Sequence, residues 1–212
     1  MRLLLPILLA VTPAAAAAQP APPVAPAGVF LSPMGEPFRS ADPAADLVGT
    51  WFAAADADRD GALVPAELRR DAARFFALLD LDRDSEIEPG EMARYENEVA
   101  PEVQLGLQMR SAQVGGWRGG KQRRVQVFKA GLDGAGRYAF LNIPQPVIAA
   151  DSDMNRGVTR SEFEQAADQR FALLDKDRNG RLVRSELPLL PQPRYRKPEE
   201  DEAARRRFEK RR

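Results

Sequence analysis

Four stretches of twelve residues share one arrangement of oxygen-bearing side chains: 56–67 (DADRDGALVPAE), 80–91 (DLDRDSEIEPGE), 151–162 (DSDMNRGVTRSE) and 175–186 (DKDRNGRLVRSE). The first, third and fifth positions are carboxylates or amides throughout. They are Asp56, Asp58 and Asp60; Asp80, Asp82 and Asp84; Asp151, Asp153 and Asn155; Asp175, Asp177 and Asn179. The twelfth position is always Glu: Glu67, Glu91, Glu162 and Glu186. Alternate residues of a turning loop aim their oxygens at one point, which is a cation site. The 212-residue chain has no His and no Cys, so any metal it holds must be bound by oxygen. That selects hard cations and excludes most zinc and copper sites, thiolate nucleophiles, and the usual general base of Ser and Cys hydrolases. Paired carboxylates can also do acid–base work, but the regular loop spacing commits them as ligands and argues against an enzyme.

This spacing is the EF-hand pattern. The chain resembles EF-hand calcium-binding proteins, in particular small exported bacterial ones in which close-spaced DxDxDG loops recur along an alanine-rich chain. The resemblance implies Ca2+ as the bound ion and an all-α, EF-hand-like fold. In such loops the twelfth-position Glu gives two oxygens, which favours calcium over octahedral magnesium. The seventh position donates its backbone carbonyl, leaving its side chain free; here it is Ala62, Glu86, Gly157 or Arg181. The eighth is apolar in every loop (Leu63, Ile87, Val158, Leu182) and in EF-hand proteins joins a short strand pairing two loops.

The sixth position needs a left-handed backbone, which Gly adopts without a Cβ penalty. Gly61 and Gly180 supply it, whereas the second loop has Ser85 and the third has Arg156, with Gly displaced to 157. Those two loops should carry a strain of roughly 1 kcal/mol each. The second offsets this with acids at all its ligand positions and Glu88 at the ninth. On these grounds the first and fourth loops rank as the strongest sites and the third as the weakest.

The elements that position the loops follow from a duplication. Residues 56–91 align without gaps on 151–186, with 12 of 36 positions identical. Within each unit the second loop begins 24 residues after the first, leaving room for one helix only. Leu68, Ala72, Phe75, Phe76 and Leu79 fall on one helical face, as do Phe163, Ala167, Phe171 and Leu174. Each helix should therefore leave one loop and enter the next. A straight helix of about 13 residues spans about 20 Å and holds its two loops apart. If the two helices pack antiparallel, the first loop pairs with the fourth and the second with the third, setting Leu63 against Leu182 and Ile87 against Val158. A kinked helix would instead pair the loops within each unit. The helix entering the first loop is expected over 43–55, with Leu47, Trp51 and Phe52 inward. Pro144 and Pro146 shorten the one entering the third.

The organisation expected is a signal peptide (1–18), a Pro/Ala-rich linker (19–45), an EF-hand unit (46–100), a Gly-rich basic connector (101–141), a second EF-hand unit (142–191) and a charged tail (192–212). The leader has Arg2, an apolar run and an A-x-A pattern at Ala16 and Ala18, and its apolar stretch is short of the ~20 residues of a spanning helix. The linker reads as extended, with Val29, Phe30 and Leu31 an apolar island able to dock on the domain. The expected location is thus periplasmic or secreted, with no transmembrane span after signal cleavage. Formal charge is balanced, 31 basic against 31 acidic residues, but acidic loops face a basic connector and tail. Those basic segments suit a cell-envelope protein or an anionic surface. Trp117 amid basic residues could suit nucleic acid, a task the leader argues against. The expected role is a calcium buffer or sensor; the alternative is a calcium-stapled adaptor for an envelope partner.

Overall fold

A computed structural model describes residues 28–104, 125–127, 131–191 and 194–196. The stretch read as a signal peptide, the centre of the connector and nearly all of the charged tail lie outside the described residues.

Two long helices form the centre. Helix α2 (Pro65–Leu79) and helix α4 (Arg160–Leu174) each run unbroken for 15 residues. Neither contains Gly or Pro beyond the first turn, and Pro65 at the first helical position forfeits no needed hydrogen bond. Their apolar faces are those read from the sequence: Leu68, Ala72, Phe75, Phe76 and Leu79 are buried, as are Phe163, Ala167, Phe171 and Leu174. The helices pack antiparallel. Arg69 near the start of α2 pairs with Asp168 in the second half of α4 at 3.0 Å. The Phe76 and Phe163 rings, from opposite ends of the two helices, lie 5.7 Å apart.

Antiparallel packing brings the ends of the two units together. Strand β3 (Ala62–Leu63) pairs with β7 (Leu182–Val183), and β4 (Glu86–Ile87) pairs with β6 (Val158–Thr159). Leu63 faces Leu182 and Ile87 faces Val158. Of the two pairings open to the sequence, the structure has the one between units. The first loop sits beside the fourth, the second beside the third.

Helix α1 (Leu47–Ala55) enters the first loop. It starts four residues later than expected because the Asp46 side chain accepts the Gly49 amide at 2.8 Å and caps it there. Trp51 and Phe52 are buried. A single 3-10 turn, Ile148–Ala150, enters the third loop, consistent with the two prolines before it. Short helix α3 (Pro89–Arg94) leaves the second loop and continues as a π-helical turn, Tyr95–Val99.

Two readings are corrected. The stretch taken as an extended linker includes a hairpin, β1 (Gly28–Leu31) with β2 (Pro37–Ser40). Phe30, Leu31 and Met34 are fully buried, so the apolar island is part of the core. Phe30 packs on Trp51 with ring centroids 5.8 Å apart, and such aromatic burial outweighs the local Pro/Ala bias. The ends of the stretch taken as a Gly-rich basic connector are also built into the core: Val103, Ala135 and Ala139 are buried, and the Leu31 amide donates to the Tyr138 carbonyl at 2.9 Å. Farther along, β5 (Val125–Val127) pairs with β8 (Arg194–Arg196), joining connector and tail. The fold is EF-hand-like and helical, with more strand pairing than an all-α reading implies. No helix among the described residues is long and apolar enough to cross a membrane.

Candidate metal centres

Each loop opens where a helix ends. Asp56, Asp80 and Asp175 cap the C-termini of α1, α2 and α4, each amide donating to a Phe carbonyl one turn back. The C-terminal end of a helix carries partial negative charge and disfavours a carboxylate there. A cation between the two resolves that conflict.

The first position organises its own loop. Asp56 Oδ2 accepts the Gly61 amide at 3.0 Å, Asp80 Oδ2 the Ser85 amide at 3.1 Å, Asp151 Oδ2 the Arg156 amide at 3.0 Å and Asp175 Oδ2 the Gly180 amide at 2.9 Å. All four sixth-position residues take the left-handed conformation, with φ of 83° at Gly61, 74° at Ser85, 78° at Arg156 and 79° at Gly180. Gly157 does not take over from Arg156, so at the sixth position only the second and third loops hold a non-Gly residue in the strained conformation, while the fourth position of every loop (Arg59, Arg83, Met154 and Arg178) is also left-handed.

The twelfth-position Glu fastens the loop shut. Glu67 Oε1 accepts the Ala57 amide at 2.8 Å and Oε2 the Val64 amide at 3.0 Å. Glu91 repeats this with Leu81 and Glu88, and Glu162 with Ser152 and Thr159. Thr159 also accepts from the Glu162 amide, completing a reciprocal cap for α4. Partial burial opposes charge on Glu162, but the hydrogen bonds from Thr159 and Ser152 prevail and hold it at about 2. Glu88 moves the other way: Asp84 beside it, then loss of water and the neighbouring Asp82, Glu86 and Glu91, push it above the usual carboxylate range.

Three acidic groups converge among the described residues, each with ligand oxygens within 4.8 Å of one another: Asp56, Asp58 and Glu67; Asp80, Asp82 and Glu91; Asp151, Asp153 and Glu162. In two of them a buried oxygen, Asp80 Oδ1 or Asp151 Oδ1, has no hydrogen-bond partner. A buried, unpartnered carboxylate oxygen is costly unless a cation completes it. The donor set is therefore suited to a hard divalent ion. Fifth-position oxygens are engaged with the backbone, Asp60 with Ala62, Asp84 with Glu86, Asn155 with Gly157 and Asn179 with Arg181. The Asp60 carboxylate also takes the Arg181 guanidinium, and that hydrogen bond holds it below the usual carboxylate range.

The fourth loop differs. Asp175, Asp177 and Asn179 form the same turn, but Glu186 closes only onto the Val183 amide, at 3.0 Å. It lies on a three-residue 3-10 turn, Arg184–Glu186, after which Leu187 is extended. Pro188 follows Leu187. Residues before Pro leave the helical region, so no exit helix forms to aim Glu186 back at Asp175. The sequence ranked this loop high on its Gly180; the prolines just beyond it were the opposing signal.

Residues 47–70, which span α1, the first loop and the start of α2, match the EF hand family model. The match supports an EF-hand protein, and with the acidic groups it suggests binding of a divalent metal, usually calcium. No curated protein matches the chain.

Proposed function

We propose that this protein binds calcium through EF-hand loops at 56–67, 80–91, 151–162 and 175–186, and acts as a calcium buffer or sensor in an exported setting. The carrying observation is the convergence of carboxylates in three loops, with unpartnered buried oxygens on Asp80 and Asp151. The loops bind rather than catalyse: their carboxylates are all assigned as ligands, and the chain offers no His or Cys for nucleophilic chemistry. The leader-like residues 1–18 support a periplasmic or secreted site of action. Affinities of such extracellular modules are of the order of 10⁻⁴–10⁻³ M.

A second reading has one specific observation in its favour. Both strand pairs join one unit to the other, β3 with β7 and β4 with β6. An ion at either pair would clamp the two units. The protein would then be a calcium-stapled adaptor, with the basic connector and tail meeting a cell-envelope partner.

Thermal melting with chelator, with millimolar calcium and with millimolar magnesium tests both. Calcium raises the melting temperature in either case. A sensor changes its exposed apolar surface across the millimolar range; a stapled adaptor stays saturated and unfolds on chelation. A melting temperature indifferent to both ions removes the calcium reading.

A further inference from the structure

Seventh-position side chains are free to reach the facing loop, and the two loop pairs use this freedom with opposite charge. In the β3–β7 pair, Ala62 faces Val183 and Leu63 faces Leu182, which carries Arg181 of the fourth loop toward the first. Arg181 Nη2 donates to Asp60 Oδ2 at 2.7 Å. The other Asp60 oxygen accepts the Ala62 amide at 2.9 Å, so both oxygens of this fifth-position ligand are taken. The convergent group of the first loop is Asp56, Asp58 and Glu67; the second loop's group likewise lacks its fifth-position Asp84, but only Asp60 carries a cation from the facing loop. In the β4–β6 pair the seventh residue of the second loop, Glu86, lies over Gly157, where a Cβ would collide with its carboxylate oxygen. One pair thus brings a cation across to a metal ligand, the other an anion.

We propose that Arg181 sets the calcium affinity of the first loop: it is a resident cation, supplied by the fourth loop, that an incoming ion must displace from Asp60 or bind beside. The inference rests on the reading of the first loop as a calcium site. Arg181 and Asp60 are 50% and 39% exposed, and pairs so exposed add little stability and part readily. The consequence falls on the entering ion instead. A unit charge about 6 Å from a divalent cation in water-like surroundings weakens its binding about tenfold. Arg181 also ties the two loops thermodynamically, since an ion that frees its guanidinium from Asp60 returns that charge to the fourth loop.

The test is a calcium titration of the full chain followed by NMR, with the Gly61 amide reporting the first loop. Arg181→Gln should shift the Gly61 midpoint about tenfold toward lower calcium. Arg178→Gln removes the same charge from an exposed, non-ligand position of the same loop and should shift it less than threefold. Rising salt should narrow the difference between the unsubstituted protein and Arg181→Gln. Equal midpoints in those two proteins, or an equal shift from Arg178→Gln, overturn the proposal while leaving calcium binding intact. A Gly61 amide that responds to calcium in none of the three proteins overturns both.

Discussion

The Trp51 indole N–H donates to Asp71 Oδ2 at 3.1 Å within the core, fastening the helix that enters the first loop to the helix that leaves it. The other Asp71 oxygen takes Arg74, whose guanidinium also reaches Glu36 in the N-terminal hairpin. One buried carboxylate therefore joins α1, α2 and the hairpin. Asp71→Ala leaves the indole unpaired and one arm of Arg74 loose, and should destabilise the protein by about 2–3 kcal/mol in urea denaturation. Trp51→Phe removes the donor, leaves Asp71 Oδ2 unpartnered and opens a void among Phe30, Phe52 and Phe140, and should cost at least as much. An Asp71→Ala midpoint equal to that of the unsubstituted protein would show that this network does not hold the elements together.

The helix faces and the strand partners were legible because they are local. A period near 3.6 marks Leu68 to Leu79 as one face, and the apolar eighth positions mark Leu63, Ile87, Val158 and Leu182 as strand partners. What escaped depends on contacts between distant segments. Position 75 of the first unit is Phe and its counterpart is Arg170, yet both are buried. Arg170 donates to the Pro33 carbonyl at 2.9 Å and the Pro146 carbonyl at 2.6 Å, so it serves as a polar plug between α4, the hairpin turn and the segment before the third loop. Burial pulls it down to about 10, still a cation at neutral pH. A hydrophobic pattern reads such an Arg as surface. Likewise the sequence marked Phe30 and Leu31 as an apolar island able to dock, but Pro and Ala composition hid the hairpin that carries them and sets Phe30 on Trp51 and Phe140.

Asp46 gives a pH dependence outside the loops. The hydrogen bond from Arg184, then that from the Gly49 amide, hold its carboxyl below the ordinary 3.8. Between those two values the unfolded chain binds more protons at this residue than the folded chain. Its contribution is therefore full above 3.8 and fades as pH falls through the folded value. Asp46→Asn keeps a capping oxygen but loses the charge pair. It should cost about 0.5 kcal/mol near neutral pH, and progressively less as pH falls through the folded value. A cost that persists into acid would mean the charge on Asp46 is not what links it to Arg184.

Backbone strain in the second and third loops can be relieved directly. Ser85 and Arg156 hold φ of 74° and 78°, where a Cβ crowds the following carbonyl. Ser85→Gly and Arg156→Gly remove the crowding but loosen the unfolded chain. The balance should be a gain of about 0.5–1 kcal/mol for each in chelator-treated protein, measured by chemical denaturation. If both substitutions destabilise, surrounding contacts rather than the dihedral govern these turns.

The twelfth positions predict unequal sites. Glu67, Glu91 and Glu162 each bridge two amides and converge with the first and third ligands of their loops. Glu186 touches one amide, has no helix behind it, and belongs to none of the convergent groups among the described residues. Replacing each Glu by Gln keeps an oxygen but removes a charge and the second strong donor to the ion. Glu67→Gln, Glu91→Gln and Glu162→Gln should each lower the number of calcium ions bound in titration calorimetry by one, or weaken one step by tenfold or more. Glu186→Gln should change the isotherm far less. If all four changes act alike, an ion must draw Glu186 inward, and the 3-10 turn at 184–186 would have to reshape on binding. Crosslinking Val183 to Ala62 through Cys substitutions would then weaken that step by fixing the turn in place.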